Sequence, residues 1–162
     1  MQRVEENSLD PRIKNVWRID TFIRVFIIFA WIYVPLFIVN SITHNKTIET
    51  ILATTLIVFV LVCVIGVIVL PPIRFVRWKY SFTDDYLIIR RGIVWRKHFV
   101  IPFIRVQNTD TKQGPIMRMF GLESVTIATA AGNHEIPGLA TSIADQFRDK
   151  AAELARLARE DV

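Results

Sequence analysis

Two long apolar stretches stand out against an otherwise mixed pattern of hydrophobic and polar positions. Ile51 to Leu70 (ILATTLIVFVLVCVIGVIVL) runs for 20 residues without a charge, and only Thr54 and Thr55 are clearly polar. As a helix it would measure about 30 Å, the thickness of a bilayer's hydrocarbon core. A buried strand is not that long, and a helix on a protein surface shows a polar face, so the run predicts a transmembrane helix. An earlier run, Phe22 to Val39 (FIRVFIIFAWIYVPLFIV), is broken by Arg24 and Pro35. Arg24 lies one turn inside the start, where its side chain can snorkel back to the headgroups. Pro35 removes one backbone donor and predicts a kink, which spanning helices tolerate. The apolar residues of this run surround the helix instead of forming the stripe of an interfacial helix, so it also reads as a span.

Between the runs lies the polar connector Asn40-Ser-Ile-Thr-His-Asn-Lys-Thr47. Two spans joined so briefly form an antiparallel hairpin with both termini on one side. Residues 1–21 carry Arg3, Arg12, Lys14 and Arg18, residues 71–100 carry seven further basic side chains, and the connector carries Lys46 alone. The positive-inside bias therefore predicts cytoplasmic termini. The expected organisation is an N-terminal cytoplasmic segment 1–21, a first span 22–40, an external loop 41–47, a second span 48–70 and a cytoplasmic domain 71–162. A cleaved signal peptide fits the first run poorly. Its preceding segment is long and mixed in charge, its apolar core is longer than an h-region, and no Ala-x-Ala-type site follows. An uncleaved anchor is the expectation.

After Pro71-Pro72, expected to end the second span, the period becomes alternating. Val76, Trp78, Tyr80 and Phe82 share one strand face, with Arg77, Lys79 and Ser81 on the other. Asp84-Asp85 predicts a turn and Tyr86–Arg91 a second strand. Gly92 marks a reversal or bulge into a third strand, Ile93 to Ile101, which Pro102 stops. A fourth runs from about Ile104 to Thr111. Gly114 to Gly121 reads as a loop with a short helical turn, and Ser124–Ala130 as a strand. A turn at Gly132-Asn133 and a short strand at His134–Ile136 follow. Short strands at close spacing predict an antiparallel sandwich or barrel. The helical period then returns over 141–159: Ile143, Phe147, Ala151, Leu154 and Ala158 form one apolar stripe. Ser142 and Asp145 fit a capping box, and Arg156 and Arg159 suit the negative end of the helix dipole.

The segments Arg91-Gly92 through Ile101-Pro102, Ile104-Arg105-Val106-Gln107, Met119-Phe120-Gly121-Leu122 and Val125 to Ala130 together resemble the bacterial pleckstrin-homology-like (bPH2) domain of YdbS-like membrane proteins. The resemblance covers roughly residues 74–140, and the preceding two-helix hairpin matches the same layout. It implies a two-helix transmembrane hairpin followed by a small β-rich, seven-stranded PH-like barrel capped by a C-terminal helix. It also implies association with a larger relative carrying several such domains. It supplies no catalytic residue and no agreed ligand, and a shared fold does not by itself confer phosphoinositide binding.

Composition now has a location. The chain has 162 residues, 52% hydrophobic and 22% charged, and a mean hydropathy of +0.36. The apolar share exceeds the roughly 45–50% of ordinary domains, and the two runs hold the excess. A disordered chain, a disulfide scaffold and a collagen-like chain are excluded, the second because Cys63 is the single cysteine. Cys63 falls inside the second span, where packing as a small hydrophobe is expected.

Signs of a reaction centre are missing. His44 falls in the connector, while His98 and His134 lie on separate strands without ligand cysteines, so no metal site is expected. His134-Glu135 continues Ile-Pro-Gly and lacks the second histidine of a zinc-protease helix. No phosphate loop, dinucleotide fingerprint or Gly-x-Ser-x-Gly elbow occurs. Asp84-Asp85 reads as a solvated turn before it reads as a catalytic pair. A non-catalytic protein without a cofactor is the expectation.

The net charge of +5 and a pI near 9.7 raise nucleic acid or an acidic membrane as partner. The distribution decides for the membrane. Residues 71–100 carry seven basic against two acidic side chains, whereas 1–21 balance four against four and 101–162 carry seven against eight. The candidate membrane-surface contacts are Arg74, Arg77, Lys79, Arg90, Arg91, Arg96 and Lys97. One reading of this set is topology and solubility; another is headgroup binding, each charge near an acidic leaflet contributing on the order of 1 kcal/mol. Strand alternation counts against a shared headgroup site, because it sends Arg90 and Arg91 to opposite faces. Trp17 suits the interface belt, while Trp31, in mid-span, either packs on a partner helix or faces lipid. The expected function is a membrane-anchored interaction module that assembles with other membrane proteins at the cytoplasmic face; the alternative is a module that binds acidic lipid of the inner leaflet. The expected partners are the bilayer and other membrane proteins, with a larger relative carrying several such domains as one candidate, and no nucleic acid. Transport finds no support, since no acidic residue occupies a span core and two helices alone make no pathway.

Overall fold

A computed structural model describes residues 6–83 and 85–160. Two compact units are present, one formed by residues 17–72 and the other by the N-terminal segment to Val16 together with residues 73–162.

The first unit is a helical hairpin. Helix α1 (Ile13–Thr43) and helix α2 (Lys46–Cys63) are joined by His44 and Asn45 alone. His44 takes a positive φ of 48°, which ends α1. The Asn45 side chain then accepts a hydrogen bond from the Thr47 N–H and caps α2. Most of the polar connector is therefore helical. Both helices extend beyond their apolar runs, because nothing in Asn40–Thr47 except the His44-Asn45 turn interrupts the backbone ladder. Phe29 of α1 stacks on Phe59 of α2 at 4.2 Å between ring centroids and on Tyr33 at 4.8 Å. Thr50, Thr54 and Thr55 return their hydroxyls to carbonyls four residues back, leaving no hydroxyl donor to seek water. Arg24 pairs with Asp20 at 2.8 Å, one turn toward the polar end of the helix. Helix α1 and the continuous helical run Lys46–Arg77 that begins with α2 are each long and apolar enough to cross a membrane.

Pro71-Pro72 does not end the second helix. A π-helical segment, Val64–Val69, follows α2, and helix α3 (Leu70–Arg77) continues from it. The Leu70 N–H bonds to the Ile65 carbonyl, five residues back. The re-registered ladder admits both prolines in the first turn of α3, where a missing N–H costs least. Val76 and Arg77 are consequently helical, and the first long strand begins only at Lys79.

The second unit is built from two antiparallel sheets. One is ordered β1 (Asn7–Ser8), β2 (Lys79–Phe82), β3 (Tyr86–Arg91), β4 (Lys97–Pro102); the other is β5 (Val106–Lys112), β6 (Leu122–Thr129), β7 (Gly132–Ala140). Alternation drives the packing. Tyr80, Leu87, Ile89 and Ile101 of the first sheet are buried, as are Val106, Leu122, Val125, Ile127, Ile136 and Leu139 of the second. Helix α5 (Thr141–Glu160) covers these sheets, with Phe147 meeting Tyr80 edge-on at 5.8 Å. A single turn, α4 (Pro115–Met119), forms the predicted helical loop.

Several expected boundaries move. Ile93–Arg96 is a loop and not part of β4, and Phe103–Arg105 is a 3-10 turn ahead of β5. The β6–β7 turn falls at Ala130-Ala131, so β7 starts at Gly132 and is nine residues long. The buried stripe of α5 is Ala144, Phe147, Ala151 and Ala155, while Ile143 is exposed. Small alanines at three of these positions let the helix lie close to the sheets. Ser142 lies inside α5 and not at its cap, and Asp145 pairs with Arg148 at 3.1 Å instead of closing a capping box. Arg3, Glu5 and Asp84, and the side chains of Phe82, Ala158 and Arg159, lie outside the described residues.

The N-terminal segment belongs to the sheet unit. Asn7 and Ser8 pair with Tyr80 and Lys79, and Leu9, Ile13 and Val16 are buried. The Asp10 N–H donates to the Gly138 carbonyl at 3.0 Å. The Asp10 carboxylate grips Arg12, whose guanidinium also donates to the Phe120 carbonyl at 3.0 Å. Hydrogen bonding from Arg12 holds the Asp10 carboxyl below its ordinary range. Gly138 takes a φ of +66°, and a side chain there would overlap Ile13, so glycine is needed for close approach of the segment.

Candidate functional site

The basic side chains of residues 71–100 are gathered by strand register. Lys79, the first residue of β2, pairs with Arg90 near the end of β3. Arg91 pairs with Lys97 at the start of β4, and Arg90 with His98. Arg77 ends α3 two residues before β2, and Arg96 ends the loop between β3 and β4. Arg77, Lys79, Arg90, Arg91, Arg96 and Lys97 therefore border one cleft of about 410 Å³, together with Glu6, Val76, Gly92 and His98. Arg74 stands apart: it is exposed on α3 but does not line this cleft.

Alternation does send Arg90 and Arg91 to different neighbours, although both border the cleft. The lining residues come from the end of the sheet where Lys79, Arg90, Arg91 and Lys97 are paired. Arg90 pairs with Glu6 from the N-terminal segment. Arg91 turns the other way and lies over the Phe99 ring at 5.2 Å, a cation–π contact. Among the described residues no acidic partner pairs with Arg77, Lys79, Arg96 or Lys97. The sequence reading missed Glu6 and His98. Glu6 carries no periodic signal, and His98 enters only through its cross-strand pairing with Arg90.

His134 of β7 meets the Phe99 ring edge-on at 4.9 Å. Burial first, and the Arg91 charge second, lower its pKa from the ordinary 6.5. The neutral ring is thus favoured where it joins the two sheets. Among the described residues no three His, Cys, Asp or Glu side chains are placed to hold a metal. What the cleft can do is concentrate positive charge against an anion.

A hydrophobic helical hairpin joined to a two-sheet unit under a C-terminal helix defines a membrane protein with a PH-like domain. The sequence profile of the family described as Bacterial PH domain (bPH_2) matches residues 25–155, and the chain belongs to that family. It is 30% identical over 163 residues to UPF0699 transmembrane protein YdbS of Bacillus subtilis (strain 168), with the whole of both chains covered. No solved structure matches it. The profile begins inside the first apolar run and takes in most of it and all of the second, so the match is wider than the 74–140 region of the sequence resemblance.

Proposed function

We propose that this chain is a non-catalytic PH-like module, anchored with both termini in the cytoplasm, whose basic cleft engages acidic lipid headgroups of the inner leaflet. The observation that carries the reading is the convergence of six basic side chains on one cleft, only one of them paired with an acid among the described residues. Each such charge near an acidic surface contributes on the order of 1 kcal/mol, and three acting together would favour an acidic over a neutral lipid by well over about tenfold. The test uses the full chain reconstituted in mixed vesicles, with spin-labelled phosphatidylglycerol and phosphatidylcholine compared for motional restriction by the protein. Preference for phosphatidylglycerol is expected. It should fall with salt and disappear in the triple variant Lys79→Glu, Arg91→Glu, Arg96→Glu. Equal restriction of both lipids by the unaltered chain would reject the reading.

A second reading is assembly with other membrane proteins, including a larger relative with several PH-like domains. Trp31 favours it: this mid-span indole is 80% exposed on the hairpin, where an aromatic gains little from the hydrocarbon interior. Purification from native membranes in mild detergent tests the idea. A lone monomer at native abundance would count against it.

A further inference from the structure

The loop between β3 and β4 carries an exposed apolar tip. Val94 and Trp95 are each 82% exposed, although nearby apolar side chains of the same unit, such as Leu87, Ile89 and Ile101, are buried. An indole in water at a loop tip forgoes the stabilisation of burying a large apolar surface. The loop nevertheless has a defined shape. Gly92 takes a φ of +123°, and a Cβ there would collide with the Trp95 carbonyl, so the chain folds back tightly over Ile93–Trp95.

Charge brackets the tip on both sides. Arg90 and Arg91 precede it and Arg96 and Lys97 follow it, all four on the rim of the basic cleft. Apolar and aromatic side chains ahead of a ring of cations match the layers of a bilayer surface, with acyl boundary inside and acidic headgroups outside. Tryptophan prefers that boundary, where its ring and its N–H both find suitable surroundings. Register also sets the loop at the end of the sheet where Lys79 enters. A protein partner would also accept an apolar tip, but the cationic bracket and the chain's own membrane anchor favour lipid.

We propose that the β3–β4 loop is a membrane wedge: Val94 and Trp95 insert into the headgroup–acyl boundary of an acidic bilayer while Arg91, Arg96 and Lys97 contact its headgroups. The proposal deepens the headgroup reading of the cleft and rests on it for the charge contacts, but insertion itself is measured separately.

Cys63 is the single cysteine, so Cys63→Ala gives a background for site-directed nitroxides in the full chain. Labels at Val94→Cys and at Met119→Cys, a site on α4 that is 79% exposed, are compared in phosphatidylglycerol–phosphatidylcholine vesicles. The Val94 label should be reached by oxygen and protected from an aqueous nickel chelate, with the opposite order at Met119. Substituting Trp95→Ser should return the Val94 label to aqueous accessibility, whereas Trp95→Phe should not. Equal nickel accessibility at the two labels overturns the wedge, whatever the lipid preference of the cleft. Repeating the measurement in pure phosphatidylcholine separates the two ideas. Insertion that persists there upholds the wedge and shows that it does not need the cleft. Insertion lost there, or on the triple charge reversal in mixed vesicles, upholds the wedge together with its charge contacts.

Discussion

His134 shows how one side chain ties stability to pH. Its pKa lies below the ordinary 6.5 because burial and the Arg91 charge disfavour the imidazolium. Between that lowered value and 6.5 the unfolded chain binds more protons than the folded one, so stability rises with pH. The contribution is complete above 6.5 and is lost as pH falls through the folded value. Thermal unfolding of the detergent-solubilised chain should therefore occur at lower temperature as pH drops from about 7 to about 5. His134→Phe keeps a ring against Phe99 and should flatten that dependence; an unchanged slope would rule out His134 as its source. Little of this was legible beforehand. The sequence puts His134 on a strand, but Phe99 and Arg91 reach it from the other sheet.

Among the elements, the N-terminal strap was the least visible. A two-residue strand has no period to detect, and Leu9, Ile13 and Val16 sit in a segment that otherwise reads as a polar leader to the first span. Their burial makes residues 6–16 part of the sheet unit. Ile13→Ala should cost about 2–5 kcal/mol, the range for truncating a buried aliphatic side chain, seen as a lower unfolding temperature of the sheet unit. Ile28→Ala, on a side chain 61% exposed in the hairpin, should change it little. Comparable losses in both would contradict the assignment. The same logic explains the second helix. Pro-Pro is a sound stop signal in an α-helical ladder, but the preceding π-helical segment changes which donors are required.

For the whole molecule, the charge distribution predicts orientation. In the Cys63→Ala background, Asn45→Cys between α1 and α2 should react with an impermeant maleimide added to intact cells. Met119→Cys should react only after the membrane is opened. Labelling of Met119→Cys but not of Asn45→Cys from outside would invert the proposed topology, and labelling of both would contradict the hairpin. At this scale the sequence was most informative. Apolar runs long enough to span, alternating strands and a final amphipathic helix were each readable from periodicity over many residues.

Local patterning thus determined by itself the two membrane helices, the β-rich unit with its closing helix and the basic character of residues 71–100. These depend on side-chain period, length and charge, which are properties of contiguous chain. Tertiary structure decided what contiguous chain cannot encode visibly. Cross-strand register put Lys79, Arg90, Arg91 and Lys97 at one sheet end, and long-range pairing drew Asn7 and Ser8 onto β2. The fold-back at Gly92 detached Val94 and Trp95 from a strand whose alternation they seemed to continue. Alternation describes a side chain's face within a strand; only the completed sheet fixes where the strand ends and which strand ends meet.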